Sequence, residues 1–214
     1  MIRKMFTVKH LPRRMNELQD YIVEKLYTPN VLSVYNFAIT QGYQNTAWYD
    51  TARVELAEIA ETFDMVLSDV AWIVATLSPH LSWELNKQSA IAFLCSWYGL
   101  PTEFSNSAYG KNTHKCTRYM LGEIDGLPSG PKVSAFYLNL MGDYSALTID
   151  RHAMRIALFG MWRITEETGE MAPSVNEHRL ITKAYENVSR MLGITAVELQ
   201  AITWQVVAQK GKSA

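Results

Sequence analysis

"GLPSGPKVSAFYLNLMGDYSALTIDRHAMRIALFG", Gly126 to Gly160, reads as turn, helix, loop and helix in that order. A short helix closes near Gly122, and the Gly- and Pro-rich turn from Gly126 to Pro131 follows it. Lys132 opens an apolar helix that runs through Leu140, Met141 to Leu147 forms a return loop, and "TID" sets Asp150 at the cap of the next helix. A helix, tight turn, helix unit points backbone N–H groups outward from the turn, where they can hold a phosphate oxygen without reading a base. An ordinary αα-hairpin with an aspartate cap fits the same residues. The spacing favours more, because Asp150 follows Lys132 by 18 positions. One helix out and one short loop back would bring the two side chains to a common cleft. There a deprotonated lysine can attack a sugar C1′ while a carboxylate stabilises the cationic sugar of a breaking glycosidic bond.

Outside this stretch the signal is also helical. "PRRMNELQDYIVEKLY" spaces Met15, Leu18, Ile22 and Leu26 along one face, with Pro12 where a first turn tolerates it. Trp48, Ala52, Leu56, Ile59 and Phe63 mark a second helix. "SDVAWIVATLS" is apolar nearly all round, with Ser68 as its expected cap and Pro79 as its stop, which predicts a central buried helix. "NKQSAIAFLCSWYG" closes at Gly99, and "NTHKCTRYMLG" at Gly122. Capping boxes are predicted at Ser174 with Glu177 and at Thr195 with Glu198. No run alternates as a strand does, so the expectation is one all-α domain over 1–214 with its N- and C-terminal helices packed together.

Bulk properties exclude several classes. With 214 residues, 48% of them hydrophobic, the chain can bury a sizeable core. Its apolar runs fall far short of the roughly 20 residues that span a bilayer, and no apolar signal segment opens it, so a soluble, cytoplasmic protein without a membrane partner is expected. Cys95 and Cys116 lack metal-site or disulfide spacing, so no metal, cluster or other cofactor is expected. A net charge of −1 is not that of a sequence-blind nucleic-acid coat. Basic surface is therefore local: Arg3, Lys4, Lys9, His10, Arg13 and Arg14; Lys111, His114, Lys115 and Arg118; and Arg151, His152 and Arg155.

The residues "LPSGPKVSA" and "TIDRHAMRIALFG" resemble the signature of the helix-hairpin-helix DNA glycosylase superfamily, which includes endonuclease III and the oxidised-guanine glycosylases. The resemblance covers roughly 66–160, with the hairpin at 122–140, and is strongest from Leu127 to Gly160. It implies a glycosylase-like helical bundle, without the iron–sulfur cluster because no cysteine follows Cys116. Lys132 falls on the superfamily's catalytic lysine, Asp150 on its catalytic aspartate, and His152 and Arg155 on the histidine and arginine that follow. "ATLSPHLSWELNKQSAIAFL" resembles the early helix pair, with His80 near the place of a glutamine that enters the duplex. Ser129 stands where a glycine is expected, in a hairpin one residue shorter than usual. The segment also resembles small phage-encoded members of the superfamily, some of them transferases that remodel modified thymines.

The partner implied is duplex DNA with an extruded nucleotide, since a glycosidic bond is unreachable inside the stack. His80, Trp83, Glu84 and His152 are candidates to bind the substrate. Ser129, Gly130, Lys115, Arg118 and Arg155 are candidates for the DNA backbone, although Glu123 and Asp125 beside the hairpin would repel a phosphate. Each has a plainer alternative: a helix-end His80, a core Trp83, a structural His152. Three functions follow: a DNA N-glycosylase, with strand-nicking lyase activity through a lysine imine; a base-hypermodification transferase on the same scaffold; and a non-catalytic DNA-binding or inhibitory phage protein. The oligomeric state is not written in the sequence.

Overall fold

The computed structural model describes residues 11–160 and 174–210, and the described chain is all-α, with no strand. The candidate bases Arg3, Lys4, Lys9 and His10, and the side chains of Arg13 and Arg14, lie outside what is described. The helices, in order, are α1 (Leu11–Ile22), α2 (Thr28–Thr40), α3 (Trp48–Thr62), α4 (Leu67–Leu77), α5 (Trp83–Tyr98), α6 (Gly110–Met120), α7 (Pro131–Leu140), α8 (Arg151–Phe159), α9 (Val175–Leu192) and α10 (Ala196–Lys210). They form two compact units. A middle unit is the continuous stretch Ala47–Thr148, and an end unit combines the chain up to Thr46 with the chain from Ile149 onward. The stretch 66–160 is thus divided between them, at the Thr148–Ile149 bond.

The middle unit is built round α4, whose residues Val70 to Leu77 are all buried. Helices α3, α5, α6 and α7 pack on it, which accounts for a helix with no polar face. Ser68 is not its cap. Val66 occupies that position with an extended backbone and no side-chain cap bond, and Asp69 N–H donates to the Val66 carbonyl. Helix α5 starts earlier than its apolar run suggests, because Ser82 Oγ accepts from Leu85 N–H. It ends at Gly99 in the left-handed conformation, as the glycine predicts.

In the end unit, α2 packs against α8, α9 and α10. Helix α9 carries the Ser174–Glu177 box, and α10 starts with reciprocal bonds between Thr195 and Glu198. The face expected of α1 is corrected. Met15 and Leu18 are 54% and 56% exposed and Leu26 is exposed too, whereas Val23, Tyr27, Val31, Val34 and Ala38 are buried. A π-helical segment, Val23–Tyr27, joins α1 to α2, and Thr28 N–H donates to the Val23 carbonyl five residues back. No residue from 15 to 22 is buried, and the buried stripe begins inside the π turn at Val23.

Candidate functional site

The hairpin between α6 and α7 is held at three points. Trp72 Nε1 of α4 donates to the Gly126 carbonyl at 3.0 Å, and its ring lies flat on Tyr119 of α6 with centroids 4.0 Å apart. Lys115 Nζ donates to Ser129 Oγ at 2.9 Å, and Ser134 Oγ donates to the Pro128 carbonyl. Gly130, at φ 100° and ψ 140°, precedes the first turn of α7 in a backbone conformation that side chains disfavour. It is followed by Pro131, whose fixed φ suits that turn. Ser129 and Gly130 are exposed at the tip. Arg118 Nε pairs with Glu123 at 2.9 Å, so one of the two acidic residues beside the hairpin is partly neutralised by a candidate phosphate ligand.

Lys132 follows in the first turn of α7. Its Nζ donates to Ser78 Oγ at 2.8 Å and lies 5.3 Å from the centroid of the Phe136 ring. Ser78 is buried at the end of α4 and donates its own proton to the Ala75 carbonyl. It therefore turns a lone pair toward the lysine. Phe136 is shared with Trp83, at 6.5 Å between centroids, and with Trp48, at 6.4 Å. Trp48 and Trp83 meet edge to face at 5.2 Å. The lysine thus stands on Phe136, one ring of an aromatic cluster contributed by α3, α5 and α7.

Trp83 Nε1 donates to Glu55 Oε2 at 2.7 Å. Lys87 Nζ bridges Glu55 at 2.9 Å and Glu84 at 3.0 Å. Burial pushes the Glu55 carboxyl up, but hydrogen bonds from Lys87 and Trp83 outweigh it, and the net shift is downward. Lys87 is shifted upward: burial opposes its charge, and the two glutamates more than restore it. Glu84 itself is largely exposed. His80 is exposed beyond Pro79, has a left-handed backbone at φ 67° and sets its ring edge-on to Tyr109 at 5.5 Å.

The loop after α7 is knitted by Asn139, which is fully buried. Its Nδ2 donates to the carbonyls of Asp143 and Ala146 at 3.0 and 2.8 Å, and its Oδ1 accepts from Thr148 Oγ1 at 2.8 Å. The end unit contains the remaining candidates. Asp150 caps α8, its Oδ1 accepting from His152 N–H at 2.9 Å and Ala153 N–H at 2.8 Å. His152 is half-buried with its ring 6.4 Å from Trp204, and Arg155 is half-buried one turn along α8.

The family of unknown function DUF7178 matches residues 14–212. The chain belongs to that family. No curated protein and no solved structure matches it. In this family member, Lys132, Ser129, Gly130, Lys115, Arg118, His80, Trp83 and Glu84 all belong to the middle unit, while Asp150, His152 and Arg155 belong to the end unit. Among the described residues no group of His, Cys, Asp and Glu could hold a metal ion, and no helix is long and apolar enough to cross a membrane. Both cysteines are free and buried. Sequence reasoning passed over Ser78 as a partner of the lysine, and over Trp48, Glu55 and Lys87, because nothing local marks them. Glu55 and its Trp83 partner are 28 positions apart.

Proposed function

We propose that the chain is a DNA N-glycosylase acting on a damaged or modified base, with an associated lyase step. The observation that supports this best is the setting of Lys132. A primary amine sits in the first turn of the helix that leaves a Gly-rich hairpin, beside Ser78 Oγ and against Phe136. The hairpin offers backbone and Lys115 to a phosphate. Trp48 and Trp83 offer ring surface to an extruded nucleotide, an interaction that tolerates any base. The neutral amine forms a bond to C1′, the C1′–N bond breaks with its electron pair leaving on the base, and the base takes up a proton. Ring opening of the sugar leaves an imine between Lys132 and C1′, and loss of the C2′ proton expels the 3′ phosphate. Asp150 is proposed as the carboxylate that stabilises the sugar cation, on the strength of the motif alone.

Borohydride reduction in the presence of duplex carrying damaged or hypermodified bases is expected to trap a covalent protein–DNA adduct that Lys132→Ala abolishes. Asp150→Asn is expected to lower turnover far more than DNA binding; an equal loss in both assigns it to capping alone. DNA that gains or loses mass with every sugar–base bond intact, and no adduct, would replace the glycosylase with the base-hypermodification transferase. Tight binding with no change in any base would leave the non-catalytic DNA-binding module.

A further inference from the structure

Three polar atoms of the middle unit are buried without a hydrogen-bond partner: Thr76 Oγ1, Asn86 Oδ1 and Asn112 Nδ2. Their residues are 5%, 2% and 5% exposed. Natural interiors rarely leave such atoms dry, so each marks a place where a water or a ligand atom belongs. The order of the helices places all three residues toward the same end of α4. Tyr119 bonds Asp69 and stacks on Trp72, Cys116 Sγ meets the Ile73 carbonyl, and Tyr109 meets His80. Helices α4 and α6 therefore run antiparallel, with Asn112 level with Thr76 and Leu77. Asn86 lies in the first turn of α5, just across the short connection from the last turn of α4. Ser89, one turn further along α5, accepts from Ser107 N–H at 3.1 Å, which ties this face of α5 to the chain entering α6.

The trio offers one unused amide acceptor, one unused amide donor and a hydroxyl able to do either. None of the three carries a charge, and a charged ligand taken into a buried site without a counter-ion meets a large desolvation penalty. What fits is a neutral group presenting an N–H beside a carbonyl or ring nitrogen. We infer that Thr76, Asn86 and Asn112 form a recognition site for the hydrogen-bonding edge of an uncharged nucleobase. The choice of a nucleobase among neutral amides rests on the DNA-directed function proposed above; the polarity of the site does not. Residues 100–109, without helix or strand, lead from α5 into α6 and are tied to α5 by the Ser107–Ser89 bond. Ser78, which holds Lys132, is two residues beyond Thr76, so base reading and amine chemistry are rooted in the same helix end.

The test is a titration of the full chain with uracil and with adenine, with inorganic phosphate as the charged control, following the side-chain amide resonances of Asn86 and Asn112. Saturable shifts of both amides with at least one base, and none with phosphate, are expected. Thr76→Val, which keeps the shape and removes the hydroxyl, is expected to weaken binding by about two- to tenfold, and Asn112→Ala by at least about tenfold. If Asn112→Ala does not fold, the isosteric Thr76→Val carries the test. Silence of both amides with both bases overturns the inference and assigns the three atoms to internal water, and an equal response to phosphate overturns it as well. Failure of borohydride trapping with base binding intact removes the glycosylase and leaves this site, whereas successful trapping with silent amides removes this site alone.

Discussion

Asn139 decides the path of the chain after α7, because one buried amide supplies three hydrogen bonds to the loop that leads to Thr148. Asn139→Ala leaves two carbonyls and a hydroxyl short of partners and is expected to lower the free energy of unfolding by about 3 kcal/mol in urea titration; a loss under about 1 kcal/mol would show that water replaces the amide. Nothing in the sequence marks this role, since an asparagine at helical spacing carries no sign of whether it faces solvent or closes a loop. Asp150 was legible for the opposite reason: an aspartate ahead of an apolar helix has a local job, and its carboxylate does that job here. Glu55 makes a pH-dependent contribution. Its carboxyl titrates below the ordinary 4.5 when folded, so the stability it adds is whole above that value and is lost as pH falls through the lower folded one. Unfolding measured from pH 6 down to pH 3 is expected to decline more gently in Glu55→Gln, and parallel curves would refute the assignment.

Among the elements, α4 shows how far pattern alone reaches. Its uninterrupted apolar run foretold burial, and four helices surround it. The same rule failed on α1, where Met15 and Leu18 repeat at helical spacing yet are exposed: no residue from 15 to 22 is buried, and the buried stripe starts in the π turn at Val23. A period of 3.6 tells which residues share a face but not whether another element covers it. The hairpin turn was legible from its glycines and prolines, but its anchor was not: Trp72 lies 54 positions before the Gly126 carbonyl it binds. Trp72→Phe keeps a ring for Tyr119 and removes the donor, and is expected to cost about 1 kcal/mol while raising amide exchange in residues 122–130 more than in α5. Uniform protection across both segments would show that the hairpin holds without it.

For the molecule as a whole, the all-α class followed from the absence of alternating runs, whereas the two-unit division did not. Thr148 and Ile149 sit in a stretch with no linker composition, so nothing in residue type announces the boundary. The middle unit is continuous and has its own core of α4 with four helices round it. A fragment of residues 47–148 is therefore expected to show helical circular dichroism and a cooperative thermal transition by itself. A fragment that melts without cooperativity would mean that the middle unit draws its order from the chain ends.

The end unit is assembled from the first and last portions of the chain, and this sets an order of events on the ribosome. Helices α1 and α2, the latter with Val31, Val34 and Ala38 buried, are translated before α9 and α10, which pack on α2. At ordinary elongation speeds of about 5–20 residues per second, the early helices wait many seconds with that apolar stripe uncovered. A stop codon anywhere before Val175 would make the wait permanent, so truncated products should be captured by holdase chaperones through α2.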